Sequence, residues 1–310
     1  MDLRKVIKFG DNSYIVSLPN KWVKENKIKK GDLLNVDYDE SLIKFSPHQI
    51  KKPEKPSEII LDYEQIKTYL NLKMHITAAY IRGFDQIIVI GKDLSKETQK
   101  IRDLSRNFVG LEIVEQSPQR IVLREFVNIQ EITIQEIVRR IDRILISMME
   151  EAEKHLKGEE DNIEVLKQKD SDISRLHYFI IRIINYGIKN KSIQKIPVNE
   201  ILYYGEVANF LEKIGNQIKR IPRYSNRKTD EKVLNLYGEI IETYKATMKA
   251  NYTNNIHTTI ELLNKRQSIF EKCEKLAEKL PKTNYIVLEK MKNAIDQIAQ
   301  LSRAFLKYLY

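Results

Sequence analysis

Residues 8–36 read KFGDNSYIVSLPNKWVKENKIKKGDLLNV. Apolar and polar residues alternate on both sides of Gly10-Asp11-Asn12-Ser13. Ile7 and Phe9 before that turn, and YIVSLP over residues 14–19 after it, therefore predict short strands. Pro19 opens a short amphipathic helix over Asn20–Asn26, with Trp22 and Val23 inward and Asn20 as its N-cap if Pro19 stays outside. Lys30-Gly31-Asp32 is a turn. Leu33–Val36 and Leu42–Phe45 follow as two strands joined near Asp39-Glu40. A β-α-β-β unit confined to residues 1–46 is too small to bury a good core alone, and dimerisation is the simplest remedy.

Outward from this unit the texture changes twice. Residues 47–56 (PHQIKKPEKP) are a Pro/Lys-rich linker. Residues 57–126 form an α/β middle region. Strands are predicted at Glu58–Leu61, Gln86–Ile90, Glu112–Glu115 and Arg120–Phe126, and helices at Tyr63–Ile81 and Ser95–Phe108, with Gly83 and Gly110 as stops. Residues 127–310 carry helical spacing throughout. Thr133-x-x-Glu136 is a capping box, followed by Ile134, Ile137, Ile141, Ile144 and Met148 at steps of three and four. Five further stripes follow, the second of these closed by Pro222 and the fourth by Pro281. Six long helices with short connections predict antiparallel neighbours. They divide into two three-helix bundles, residues 127–224 and 225–310, packed side by side. The fold class is thus multidomain α+β.

Composition narrows the function. The chain has 310 residues and a net charge of +10, which points to an acidic partner such as nucleic acid. Its one cysteine, Cys273, excludes an internal disulfide and Cys-pair metal motifs, and reads as a small apolar filler in a reducing compartment. The charged start MDLRKVIKFGD is unlike a secretion signal. The stretch HYFIIRIINYGI (177–188), interrupted by Arg182 and Asn185, is far short of a membrane span. A cytoplasmic protein is expected. No G-x-S-x-G turn and no His pair at zinc spacing occurs, and Gln86 stands where a phosphate loop ending at Gly91-Lys92 needs glycine, so no enzyme is expected. The sixteen tyrosines are scattered over helices and suit packing there.

In residues 3–46 a basic residue, an aromatic-Gly pair, Asn-Ser, an alternating strand, Pro, a short helix, Lys-Gly-Asp and a strand recur in order. This pattern resembles the swapped-hairpin DNA-binding family of AbrB, SpoVT and the antitoxin MazE. The resemblance implies that two chains exchange hairpins into one small β-barrel and bind double-stranded DNA through their basic first strands and loops. The matching positions are Arg4, Lys5, Lys8, Asn12 and Ser13, with Lys21 and Lys24 on the helix. Ser17 departs from the Arg that the antitoxins often carry there. Residues 1–30 hold eight Lys/Arg against three Asp/Glu, and a dimer doubles that excess.

FLEKIGNQIKRI (210–221) and QKDSDISRLHYFIIRII (168–184) resemble helices of PhoU, the phosphate-uptake regulator. The order of the three regions is similar to that of the fused phosphate-uptake-regulator family. The middle region, with HITAAYIRGFDQIIVIG (75–91) and NFVGLEIVEQ (107–116), is similar too. PhoU proteins hold iron or zinc with acidic residues one turn apart on facing helices. Here Glu212 is followed by Asn216, Lys292 precedes Asp296, Asp170 is followed by Ser174 and Asn264 by Ser268. Every matched pair has lost a carboxylate, so Asp170, Glu212 and Asp296 are residual motif positions and no cofactor is expected. His177 lies near the Leu176 stripe and reads as a packed or partly exposed histidine rather than a ligand. The resemblance implies a DNA-binding regulator of phosphate uptake that contacts a phosphate transporter or signalling partner. The alternative is an adaptor in which the hairpins only dimerise the chain, and the helical half docks on a transporter ATPase or a kinase.

Overall fold

The structure is a computed structural model that describes residues 3–38, 42–47, 56–129, 132–160, 162–189, 197–225, 229–281 and 284–308. The chain divides into two compact units, residues 1–55 and 56–310. The turn at Asp39-Glu40 and linker residues 48–55 lie outside the described residues.

In the first unit β1 (Val6–Phe9) pairs antiparallel with β2 (Ser13–Val16), with Lys8 opposite Tyr14. Gly10 opens the intervening loop at φ +68°, a conformation that costs glycine little. Helix α1 (Asn20–Glu25) follows. Its cap is Pro19, whose carbonyl accepts the amide of Val23 at 3.0 Å. Asn20, expected as the cap, is instead the first helical residue, because the extended ψ of Pro19 (125°) already places the boundary one residue earlier. Gly31, at φ +93°, forms the next turn, in which Asp32 accepts the Lys29 amide at 2.7 Å. β3 (Leu34–Tyr38) and β4 (Ile43–Pro47) then form a second antiparallel pair. Among the described residues one chain therefore supplies two separate two-stranded sheets and no closed barrel.

The second unit begins with a four-stranded sheet. β5 (Glu58–Asp62), β6 (Gln86–Ile90), β7 (Leu111–Ser117) and β8 (Arg120–Glu125) take the spatial order β5-β6-β8-β7. Only β5 and β6 are parallel, and the crossover between them carries α2 (Tyr63–Ile66) and α3 (Tyr69–Ile81). The single helix predicted over Tyr63–Ile81 is split, because Lys67 turns left-handed (φ +67°) and Thr68 restarts the helix by accepting the Asn71 amide. α4 spans Thr98–Ser105, shorter than predicted at both ends. Gly110 (φ +71°) is required before β7, since a Cβ there would lie 2.3 Å from Val127 Cγ2. The unbroken apolar run of β6 reflects burial of the strand inside the sheet.

The six long helices form as the spacing predicts: α5 (Ile134–Lys157), α6 (Ile163–Lys189), α7 (Val198–Arg223), α8 (Glu231–Tyr252), α9 (Ile256–Lys279) and α10 (Tyr285–Lys307). The capping box at Thr133 and Glu136 is present. Pro222 lies inside α7 one residue before its end. α5, α6 and α7 pack on one another, as do α8, α9 and α10; the two sets meet along α7–α10 and, less extensively, α5–α8. At the second joint, buried Asp142 of α5 accepts the hydroxyls of Tyr244 and Tyr252 of α8, each at 2.9 Å. Burial raises the Asp142 carboxyl above its ordinary range. Among the described residues no helix is long and apolar enough to cross a membrane.

One core runs through the sheet layer and both helix sets. The two layers are joined by α6 against α3. Arg182, fully buried, donates through Nη1 to the carbonyls of Tyr80 (2.8 Å) and Phe84 (3.0 Å), and through Nη2 to Glu125 (3.2 Å). Asn185 donates to the Ile81 carbonyl at 2.6 Å. These donors reach the carbonyls of Tyr80 and Ile81 in the last turn of α3 and of Phe84 just beyond it, where Tyr80 also accepts the Gly83 amide at 3.0 Å. Burial still pushes the Glu125 carboxyl up despite Arg182. Arg182→Ala leaves that carboxylate buried without its counter-charge, held only by the Val127 amide, and the expected loss is about 3–5 kcal/mol in urea unfolding. Arg182→Met combined with Glu125→Gln should recover much of it. Equal loss in the single and double variants would show that the ion pair does not couple the layers.

Candidate nucleic-acid interface

In the first unit none of the described residues is buried. Leu18, Trp22, Val23, Ile28 and Leu34 are half-buried, the large apolar residues partly covered among those described. Every large apolar residue of β1 and β2 is exposed, Ile7 at 60% and Phe9 at 67% among them, as are Val36, Tyr38, Ile43 and Phe45 of the second pair. Isolated hairpins are marginal in water. Taking each such side chain out of water is worth about 1.5–3 kcal/mol.

The basic residues stand on this frame. Lys5 precedes β1 and Lys8 lies in it; Asn12 and Ser13 complete the loop and start β2, and all four are exposed. Lys21 and Lys24 are three apart on α1 and exposed, while Trp22 and Val23 take its covered side. Lys21 lies 4.0 Å from Glu25 with both side chains in water, a contact of little energetic consequence. Arg4 is also exposed. Among the described residues no carboxylate pairs with Lys5, Lys8 or Lys24. Ser17 is exposed just past β2.

The residual acidic positions lie in the second unit and carry a different chemistry. Glu212 accepts the amide of Asn216 at 2.6 Å. Lys219, one turn further along α7, donates to Asp170 of α6 and to Asn216 Oδ1 at 3.4 Å. In the second helix set Arg266 of α9 holds Asp296 of α10 through Nε (2.8 Å) and Nη2 (2.7 Å). Lys292 lies 3.3 Å from both Glu274 and Glu289. Arg266 and Lys292 both sit over the Phe270 ring, at 4.3 and 5.3 Å. Cations of the chain itself thus pair with Asp170 and Asp296, while Glu212 is held by the neutral amide of Asn216. Among the described residues no three His, Cys, Asp or Glu side chains converge as a metal site. An iron or zinc ion would have to displace Lys219 or Arg266, so these residues do not fit one. Ser174 is half-buried, and Asn264 and Ser268 are exposed.

His177 is half-buried and shares a 2.8 Å hydrogen bond with Asn209. Cys273 is buried, which pushes its thiol up to about 12. Sequence inspection passed over Lys219 and Arg266. For Lys219 the signal was present: residues 212, 216 and 219 share one helix face.

Residues 7–47 match the family described as Antidote-toxin recognition MazE, bacterial antitoxin. The N-terminal module is therefore similar to that antitoxin. The fold is also similar to the crystal structure of the phosphate transport system regulatory protein PhoU from Streptococcus pneumoniae. The TM-score is 0.47 and the identity 10%, over 58% of this chain and 94% of that one. No curated protein matches the chain.

The ion pair between Lys219 and Asp170 yields a test. Lys219→Ala should cost about 1–2 kcal/mol of stability in urea unfolding. Lys219→Ala with Asp170→Ala should cost less than the sum of the single variants. Strict additivity would mean that the contact contributes nothing.

Proposed function

We propose that the chain is a dimeric DNA-binding regulator of phosphate uptake, acting in the cytoplasm and without a catalytic step. The observation that carries this reading is a basic hairpin module whose strands have no core of their own. A second copy is the natural cover, because the same apolar faces are then buried twice. Exchange of hairpins would close the two sheets of each chain into one small barrel and bring two copies of Lys5, Lys8 and the Asn12-Ser13 loop together. Lysines without intramolecular partners are free to neutralise phosphates, and Asn12 can read base edges. The similarity of residues 7–47 to the MazE antitoxin supports this module.

The link to phosphate uptake rests on the PhoU-like helical stretches at residues 168–184 and 210–221. In this reading the domains are the module at 1–46, the linker at 47–56, the middle region at 57–126 and the helical half at 127–310. The helical half would report phosphate status by contacting a phosphate transporter ATPase or a signalling protein. Dimer or domain rearrangement would then shift the affinity for DNA.

Fluorescence anisotropy of the full chain on duplex DNA over a salt series tests the DNA claim. Binding should weaken steeply with salt. Lys5→Ala with Lys8→Ala removes four cations per dimer and should lower the log–log salt slope by about 3–4. The dimer mass should stay unchanged. Absence of binding at low salt would remove DNA as the partner. The hairpins would then serve dimerisation alone, the adaptor reading that exposed Ser17 favours.

A further inference from the structure

Four helix ends converge on one cavity of about 450 Å³ in the second unit. α5 and α7 begin there; α8 and α10 finish there. Both three-helix sets therefore contribute to its wall. Its volume is in the range of small-molecule sites.

The wall is unusually aromatic. Tyr203 is the centre of a ring cluster, with Tyr204 at 4.9 Å, Tyr308 at 5.7 Å and Phe305 at 6.1 Å between centroids. The Tyr203 hydroxyl donates to Asn251 Oδ1 at 2.6 Å, which fixes both side chains. Asn199, Asn254 and Gln135 add amide groups that pair with either donors or acceptors.

Arg139 is the one Lys or Arg among the described residues that line the cavity, and it lacks the carboxylate partner that several cations of the helical half have. Lys219, Arg266, Lys292, Lys272 and Lys307 each pair with a carboxylate. Arg139 is exposed at the cavity and lies over the Tyr252 ring, 4.6 Å from its centroid. No carboxylate among the described residues lies within ion-pair distance of it. Glu200 also lines the cavity, yet it does not pair with Arg139. The ring contact holds the guanidinium in place and leaves its planar fork available to an anion.

We propose that this cavity binds a nucleotide. Tyrosine faces would stack on the base, and the surrounding amides would meet its hydrogen-bonding edge. Arg139 would take the phosphate through a charge-assisted, two-pronged contact. Because the ligand would touch α5 and α7 together with α8 and α10, its binding would tighten the joint between the two helix sets. Tyr252 extends that coupling, since its hydroxyl also bonds buried Asp142. The site is independent of DNA binding by the N-terminal module.

Isothermal titration of the full chain, stripped of nucleic acid, tests the proposal with AMP, adenosine, inorganic phosphate and tryptophan. AMP should bind saturably with one site per chain, and adenosine and inorganic phosphate each roughly tenfold or more weakly. Arg139→Gln, at an exposed position, should reduce AMP to the level of adenosine without changing thermal unfolding. Tyr203→Leu should weaken AMP and adenosine alike. Lys5→Ala with Lys8→Ala should leave AMP binding unchanged, which separates the cavity from phosphate binding by the hairpin module. No saturable AMP binding in the millimolar range, or no effect of Arg139→Gln, would overturn the proposal. Tighter binding of tryptophan than of AMP would do so too.

Discussion

A small β-rich module without a core is the constraint from which the rest follows. Folding must offset a backbone entropy of about 1–2 kcal/mol per ordered residue, and apolar burial is the main means of doing so. In residues 3–47 the described strands place Val6, Ile7, Phe9, Tyr14, Ile15 and Val16 in water. The first unit therefore needs a partner surface as apolar and as small as itself. A second copy meets both conditions and doubles the local basic charge. The uncovered apolar faces and the exposed lysines are two aspects of one requirement. In the proposed dimer the residues that must be covered would drive association, and association would concentrate the cations that a polyanion would meet.

The second unit solves its own problem of assembly with buried polar groups. Arg182 and Asn185 interrupt the apolar stretch at residues 177–188, and both bind carbonyls at the end of α3. Asp142 interrupts the stripe of α5 and accepts two tyrosine hydroxyls from α8. In each case a polar residue on an otherwise apolar face marks a joint between layers. Burying such a group without partners would cost more than the contact returns, so these joints accept one arrangement of the elements.

Much of this architecture was legible in the sequence. The six helices follow from spacings of three and four, and the capping box at Thr133 from two residues. The α/β middle is legible from Gly stops and β-branched runs. The split at Lys67 was not, because a left-handed lysine leaves no compositional trace. Nor was the cap at Pro19, where the competing cue was an Asn of high capping propensity. The site was less legible than the fold. Loss of carboxylates at Asn216 and Lys292 was visible in sequence, as was Lys219 on the face of Glu212 and Asn216, but the pairing of Lys219 with Asp170 and of Arg266 with Asp296 needed helix-to-helix geometry. Arg139 could not be told from other surface cations until its place at the cavity, over the Tyr252 ring, was seen. The chain-wide charge of +10 also takes on a different meaning: in the helical half several cations are held in internal pairs, whereas in the hairpin module Lys5, Lys8 and Lys24 have no carboxylate partner among the described residues.

The central claim is that two copies of the N-terminal module together form the surface that meets DNA. Native mass measurement of the full chain with a short DNA duplex at low ionic strength tests it most directly. Two chains on one duplex is the predicted complex. A single chain on the duplex, or dimers that carry no DNA, would contradict it.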